Sequence, residues 1–198
     1  KGYRIFAGDG DIGSITIQGG HLLGNVEADG AIGSISLIVG ADGFVGHIGV
    51  ASAYRANRAF GPSGGQRNQL PPGTVKTALF DGPTIQARTT IGSITVAGTG
   101  KIWETGIFAG ESIGLVSASR IGNDNVTRGL GSFIAAGDQI SRLEFGMAKA
   151  VNVISGVVSL GVDGRAGGAG GDYDTIRSGT IGDVIVTGKA VNLRIAAG

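Results

Sequence analysis

The chain has 198 residues, with 16 basic and 15 acidic side chains, two histidines and no cysteine. That near-neutral balance excludes a broad basic field for nucleic acid, and the missing cysteines exclude a disulfide framework or a thiolate metal site. Forty glycines, about three times the usual share, combined with 41% apolar residues and no Gly-X-Y period, exclude both collagen and a flexible linker.

Glycine at this level in so apolar a chain implies short buried runs joined by tight turns. No run approaches the ~20 apolar residues that span a bilayer, so no membrane span is expected. The sequence starts at Lys1 without a signal-peptide pattern, which suggests a processed form or a piece of a longer polypeptide.

Taken in order, the elements repeat. Ile12-Gly13-Ser14-Ile15-Thr16-Ile17 returns as Ile32-Gly33-Ser34-Ile35-Ser36-Leu37, and the distance between the two copies sets the period. The phrase returns again from Ile91 to Val96 and, about one period on, from Ile113 to Ala118. Looser copies begin at Ile140 and Ile181. Ile32 and Ile91 stand close to three periods apart, and Ile140 and Ile181 close to two. A second phrase sits just upstream: Ala7-Gly8-Asp9, Ala28-Asp29-Gly30, Ala41-Asp42-Gly43, Ala109-Gly110-Glu111 and Ala136-Gly137-Asp138.

One period therefore reads as strand, glycine turn, strand, acidic glycine turn. Ile15 and Ile17 share a face and Thr16 points away, as strand alternation requires. Stacking equivalent coils about 4.8 Å apart would set Ile on Ile and close one apolar core that no single coil could bury. Helical periodicity is absent. The expected fold is all-β: a right-handed parallel β-helix, or β-solenoid, of about eight to nine coils in a single domain over residues 1–198. Residues 54–73, which contain Pro62, Pro71 and Pro72, are read as a long lateral loop, and Gly161 to Gly171 as a glycine-rich excursion.

The phrases Arg4-Ile5-Phe6-Ala7-Gly8 and Arg194-Ile195-Ala196-Ala197-Gly198 match in phase. Neither looks like the polar cap with which solenoids normally finish. The expectation is a section of a longer array, or subunits that stack end to end.

The IGSITV-type strand, the acidic glycine turn and the closing VNLRIAAG resemble the glycine-rich repeats of very large bacterial secreted and cell-surface β-helix proteins. The resemblance covers most of the chain outside residues 54–73. It implies an extracellular or cell-surface location and a structural role as fibre, surface layer, matrix or adhesin section. The alternative is a polysaccharide-binding or polysaccharide-degrading β-helix protein.

Chemistry is sparse. Gly8-Asp9-Gly10-Asp11-Ile12-Gly13 has dinucleotide-loop spacing, but a strand follows where a helix is needed, and two aspartates would repel a pyrophosphate. Asp9 and Asp11, and Asp172 and Asp174 behind Gly167-Gly168-Ala169-Gly170-Gly171, are the candidate calcium ligands. Against them stands the ordinary use of Asp and Gly in turns. No other cofactor is expected, and no catalytic residue is assigned. His21 and His47 read as turn residues at non-equivalent points without a partner. Tyr54, Arg55, Arg58, Phe60 and Arg67 form a basic-aromatic loop suited to a polysaccharide or a neighbouring chain, with a solvated loop as the simpler reading. Thr16, Ser36, Thr95 and Ser117 should form an outward hydroxyl file, interrupted by Glu144 and Ile185, that reads as a cross-strand ladder rather than an ice-binding face.

Overall fold

A computed structural model describes residues 4–49, 83–123, 131–159, 175–176 and 178–198. Those residues are all-β, with no helix among them. The strands are β1 (Arg4–Ala7), β2 (Ile12–Gln18), β3 (Asn25–Ala28), β4 (Ile32–Ile38), β5 (Thr84–Ala87), β6 (Thr90–Val96), β7 (Lys101–Trp103) and β8 (Gly106–Ala109). They continue as β9 (Ser112–Gly122), β10 (Ser132–Ala136), β11 (Gln139–Ser155), β12 (Val157–Ser159), β13 (Thr175–Ile176), β14 (Thr180–Val186) and β15 (Ala190–Ala197). Thirteen of them belong to one sheet in which every pairing is parallel; β12 and β13 form a small antiparallel pair.

The parallel pairings fall into three stacks. The first runs β2, β4, β6, β9, β11, β14 and carries the Ile-Gly-Ser phrases in register. The second runs β1, β3, β5, β8, β10, β11, β15. The third is narrow. Leu22 bridges to Ile48 and Ile48 to Ile102, and β7 then continues onto Ile121 of β9 and Ala148 of β11. The 17-residue β11 passes through all three stacks.

The alternating pattern sets the core. In the first stack Ile35, Ile94, Val116 and Leu143 lie in one inward file, and Ile32, Ile91, Ile113 and Ile140 in another; all are fully buried. The second stack contributes Val26, Ile85, Ile107, Ile134 and Val153, and the third Leu22, Ile48, Ile102, Ile121 and Ala148, to the same cluster. Each buried Ile contributes about 1.5–3 kcal/mol of apolar burial, so the files are the main source of stability. A second apolar layer lies outside the middle of the second stack. There Phe108 and Phe133 stack with ring centroids 5.8 Å apart, beside Ala135, Ile154 and Val157.

Several expectations change. Where eight to nine coils were expected, the first stack has six strands among the described residues. Ile32 pairs directly with Ile91 and Ile140 directly with Ile181, so the long gaps insert no strand between those rungs. Each period has three stacked segments rather than two, because Leu22 and the strand from Asn25 turn apart. Ala41-Asp42-Gly43 is not an upstream turn phrase. It forms a tight turn after β4, closed by Gly40 N–H to the Phe44 carbonyl and by the Asp42 carboxylate accepting the Phe44 N–H. The 54–73 loop and the Gly161–Gly171 excursion lie outside the described residues.

Gly33, Gly92 and Gly114 occupy a corner file where a Cβ would press into the carbonyl oxygen of the glycine one rung earlier. Glycine is required there by close backbone approach rather than by torsion. At another corner three residues other than glycine, Glu104, Ala150 and Asn192, take positive φ, at 44°, 55° and 53°, and the rung between the first two turns at Gly122, with φ 116°.

One file contains an exception. Ala28, Ala87, Ala109 and Ala136 stack in the second stack, and the next member is Ser155, fully buried with a hydroxyl that finds no hydrogen-bond partner among the described residues. An unpaired buried hydroxyl costs about 1–3 kcal/mol. Ser155→Ala should therefore raise stability by about 1–2 kcal/mol, read as a higher denaturant midpoint at constant slope.

Candidate functional site

The two ends of the stacks are the first place where this fold has unmet bonding capacity. Among the described residues β1 pairs only with β3, β2 only with β4, and β14 and β15 only with β11. Among these residues each end rung thus has a strand edge with no partner, a ready template for another strand. Burial falls away there too. Ile5 is 41% exposed although its file neighbour Val26 is fully buried, and Ile195 at the far end is 47% exposed. Phe6 and Ile185 add further exposed apolar surface.

The two ends match. β1 and β15 belong to the second stack, and β2 and β14 to the first. Continuing the register would set Ile195 on Ile5, Ala197 on Ala7, Ile181 on Ile12 and Val184 on Ile15. It would also set Arg194 beside Arg4, whose guanidinium pairs with Glu27.

The histidines form the second feature, and here the structure corrects the expectation. His21 and His47 are not at unrelated points. They precede the paired residues Leu22 and Ile48 on the third stack, and their ring centroids lie 5.2 Å apart. The His47 amide donates to His21 Nδ1 at 3.0 Å, and the Lys101 amide donates to His47 Nδ1 at 3.2 Å. The rings thus serve as acceptors for corner amides. A ring nitrogen that accepts cannot carry the proton, so each neutral imidazole keeps its proton on Nε2. Phe44 packs edge-on against His21 at 5.4 Å.

Burial holds the His47 pKa below its usual 6.5, helped by the neighbouring His21 and Lys101 and opposed by the Gly46 backbone. The folded state then binds its proton at lower pH than the unfolded chain does. Stability is complete above about 6.5 and falls as pH drops from there through the lowered folded value. The melting temperature should be lower at pH 5 than at pH 7.5. His47→Gln, whose amide oxygen can accept the Lys101 N–H without titrating, should shrink that difference; an unchanged difference would locate the acid sensitivity elsewhere.

The calcium candidates are placed only in part. The Asp11 carboxylate accepts the Ala31 amide at 2.7 Å, and the Asp29 carboxylate accepts the Asp9 amide at 3.4 Å, so this turn uses its acids to hold the next coil. No group of three or more metal-capable side chains occurs among the described residues. Asp172 and Asp174 lie outside those residues, as do Tyr54, Arg55, Arg58, Phe60 and Arg67. The hydroxyl file is in register: Thr16, Ser36, Thr95 and Ser117 stack and run on to Glu144 and Ile185, with Thr95 Oγ1 bonded to Ser36 Oγ at 3.2 Å. No helix of the described residues is long and apolar enough to cross a membrane.

No protein-family model matches the chain, and neither a curated protein nor a solved structure does. The likeness to glycine-rich surface proteins rests on the repeat phrases alone.

Proposed function

We propose that the chain is a right-handed parallel β-helix that works as an extracellular or cell-surface scaffold, lengthened by adding coils to its open ends. The observation that carries this reading is Gly13. Gly33, Gly92 and Gly114 in its file are each required by the carbonyl of the rung before them, yet nothing lies within 4 Å of a Cβ built on Gly13. The end rung of a second copy, which contains Gly182, would bring the missing carbonyl, because the Gly182 strand occupies the same stack and its outer edge has no partner among the described residues. Such a head-to-tail contact does not close on itself and builds an open filament. The exposed Ile5 and Ile195 would supply its apolar contact, and the Arg194–Arg4 approach would make it salt-dependent.

Electron microscopy and sedimentation velocity of the purified chain test this. Rods that lengthen with concentration and with added salt are expected. Gly13→Ala and Ile195→Lys should each abolish lengthening while leaving the melting temperature of the single unit unchanged. Monodisperse short monomers at every concentration and salt level would overturn the reading.

A further inference from the structure

We propose that the outer surface of the third stack binds an acidic polysaccharide laid along the stack axis. This goes beyond the scaffold reading and does not depend on self-assembly. The chain is nearly neutral, but its charges are sorted by position. Among the described residues the turn between the second and first stacks holds Asp9, Asp11, Asp29, Glu111 and Asp138 with a single base, Arg88. The six rungs of the third stack, residues 20–23, 46–49, 100–103, 119–122, 146–149 and 188–191, contain no carboxylate. They carry His21, His47, Lys101, Arg120, Lys149 and Lys189.

Register turns this composition into a stripe. His21, His47, Lys101 and Arg120 stand in one outward file, rung upon rung, and Lys189 follows one rung beyond Met147. At about 4.8 Å per rung the stripe runs roughly 24 Å along the axis. Both imidazoles have Nδ1 occupied by a backbone amide, so their Nε2–H groups remain as outward donors even when neutral. Lys101 Nζ sits 5.2 Å from the Trp103 ring centroid, which steadies the ammonium on the surface. Of the carboxylates described beside these rungs, Asp42 is turned to the Phe44 amide, and Glu104 is buried at the following corner.

A periodic row of N–H donors and cations on a rigid wall suits a linear polymer with regularly spaced carboxylates or sulfates. A folded acidic protein would need shape complementarity, which so narrow a row does not offer. The neutral histidines also favour hydrogen-bonding groups, such as the carboxylate and hydroxyl pairs of a uronic acid chain, over charge alone.

The test is binding of polygalacturonate, dextran sulfate, neutral dextran and duplex DNA by isothermal titration calorimetry, at salt concentrations from low to high. Binding of polygalacturonate that weakens as salt rises is expected, with no binding of neutral dextran. The double variant Lys101→Gln/Lys189→Gln should bind about tenfold more weakly, whereas Arg142→Gln on the first stack should bind as the parent does. Circular dichroism checks that each variant is folded, and Lys189→Gln alone, at an exposed position, gives a milder second variant with the same expected direction. Dextran sulfate in place of polygalacturonate would keep the site and change the anionic group. Salt-independent binding, equal binding of neutral dextran, tighter binding of DNA than of either acidic glycan, or unchanged affinity in the lysine variants would overturn the proposal.

Discussion

Ile94→Ala should cost about 2–5 kcal/mol, among the largest effects of any single truncation in the chain. Ile94 is fully buried, flanked in its file by Ile35 below and Val116 above, both also fully buried. The neighbours cannot close the gap cheaply, because each is fixed by its own parallel rung and Ile35 is fixed at χ1 by β-branching. The matching truncation at the first rung, Ile15→Ala, should cost about 1 kcal/mol, since Ile15 is only partly buried against the same core. Urea denaturation of both variants checks the contrast. The shape of the transition carries a second reading. Stability in a stack is summed over neighbouring rungs, so weakening the middle should broaden the Ile94→Ala transition more than the Ile15→Ala one. Equal costs would mean that the inward files are not the backbone of stability.

The inward files of the first stack were legible in the sequence because two physical signals coincide in them. Alternation places Ile15, Ile35 and Ile94 on one side, and the recurrence of the phrase stacks them. The third stack was not legible, because it offers neither signal. Its rung is a single inward residue, Leu22, Ile48 or Ile102, too short to show alternation. The tight turn at Gly40–Phe44 also lengthens the connection ahead of Ile48, so the spacing from His21 to His47 exceeds the regular period. A fixed period therefore separates two rings that the fold brings together. The corner at Glu104, Ala150 and Asn192 was hidden for another reason. Left-handed backbone is usually signalled by glycine, and here three other residue types adopt it. The long gaps misled because each is near a multiple of the period, while the pairings pass directly across them, from Ile32 to Ile91 and from Ile140 to Ile181.

Gly92→Ala and Gly13→Ala should differ sharply although they change the same motif in the same file. At Gly92 the added methyl has no room against the Gly33 carbonyl, which is held by parallel pairing on both sides of the corner. Relieving that contact requires two rungs to spread, which breaks ladder hydrogen bonds at the centre of the stack. The expected loss is about 1–3 kcal/mol, measured by denaturant unfolding. The upper part of that range is limited by Ser141, which stands in the same file between Gly114 and Gly182 and shows that one rung can accept a Cβ. At Gly13 the same methyl meets nothing, and the single unit should lose no stability. A Gly13→Ala chain that melts like its parent but no longer lengthens would separate the two uses of this glycine. Inside the stack it lets one coil sit on the next, and at the open end it keeps the surface flat enough to receive another copy. If Gly13→Ala instead lowered the melting temperature of an isolated unit as much as Gly92→Ala does, the first rung would already be covered within the chain, and the open end would not exist.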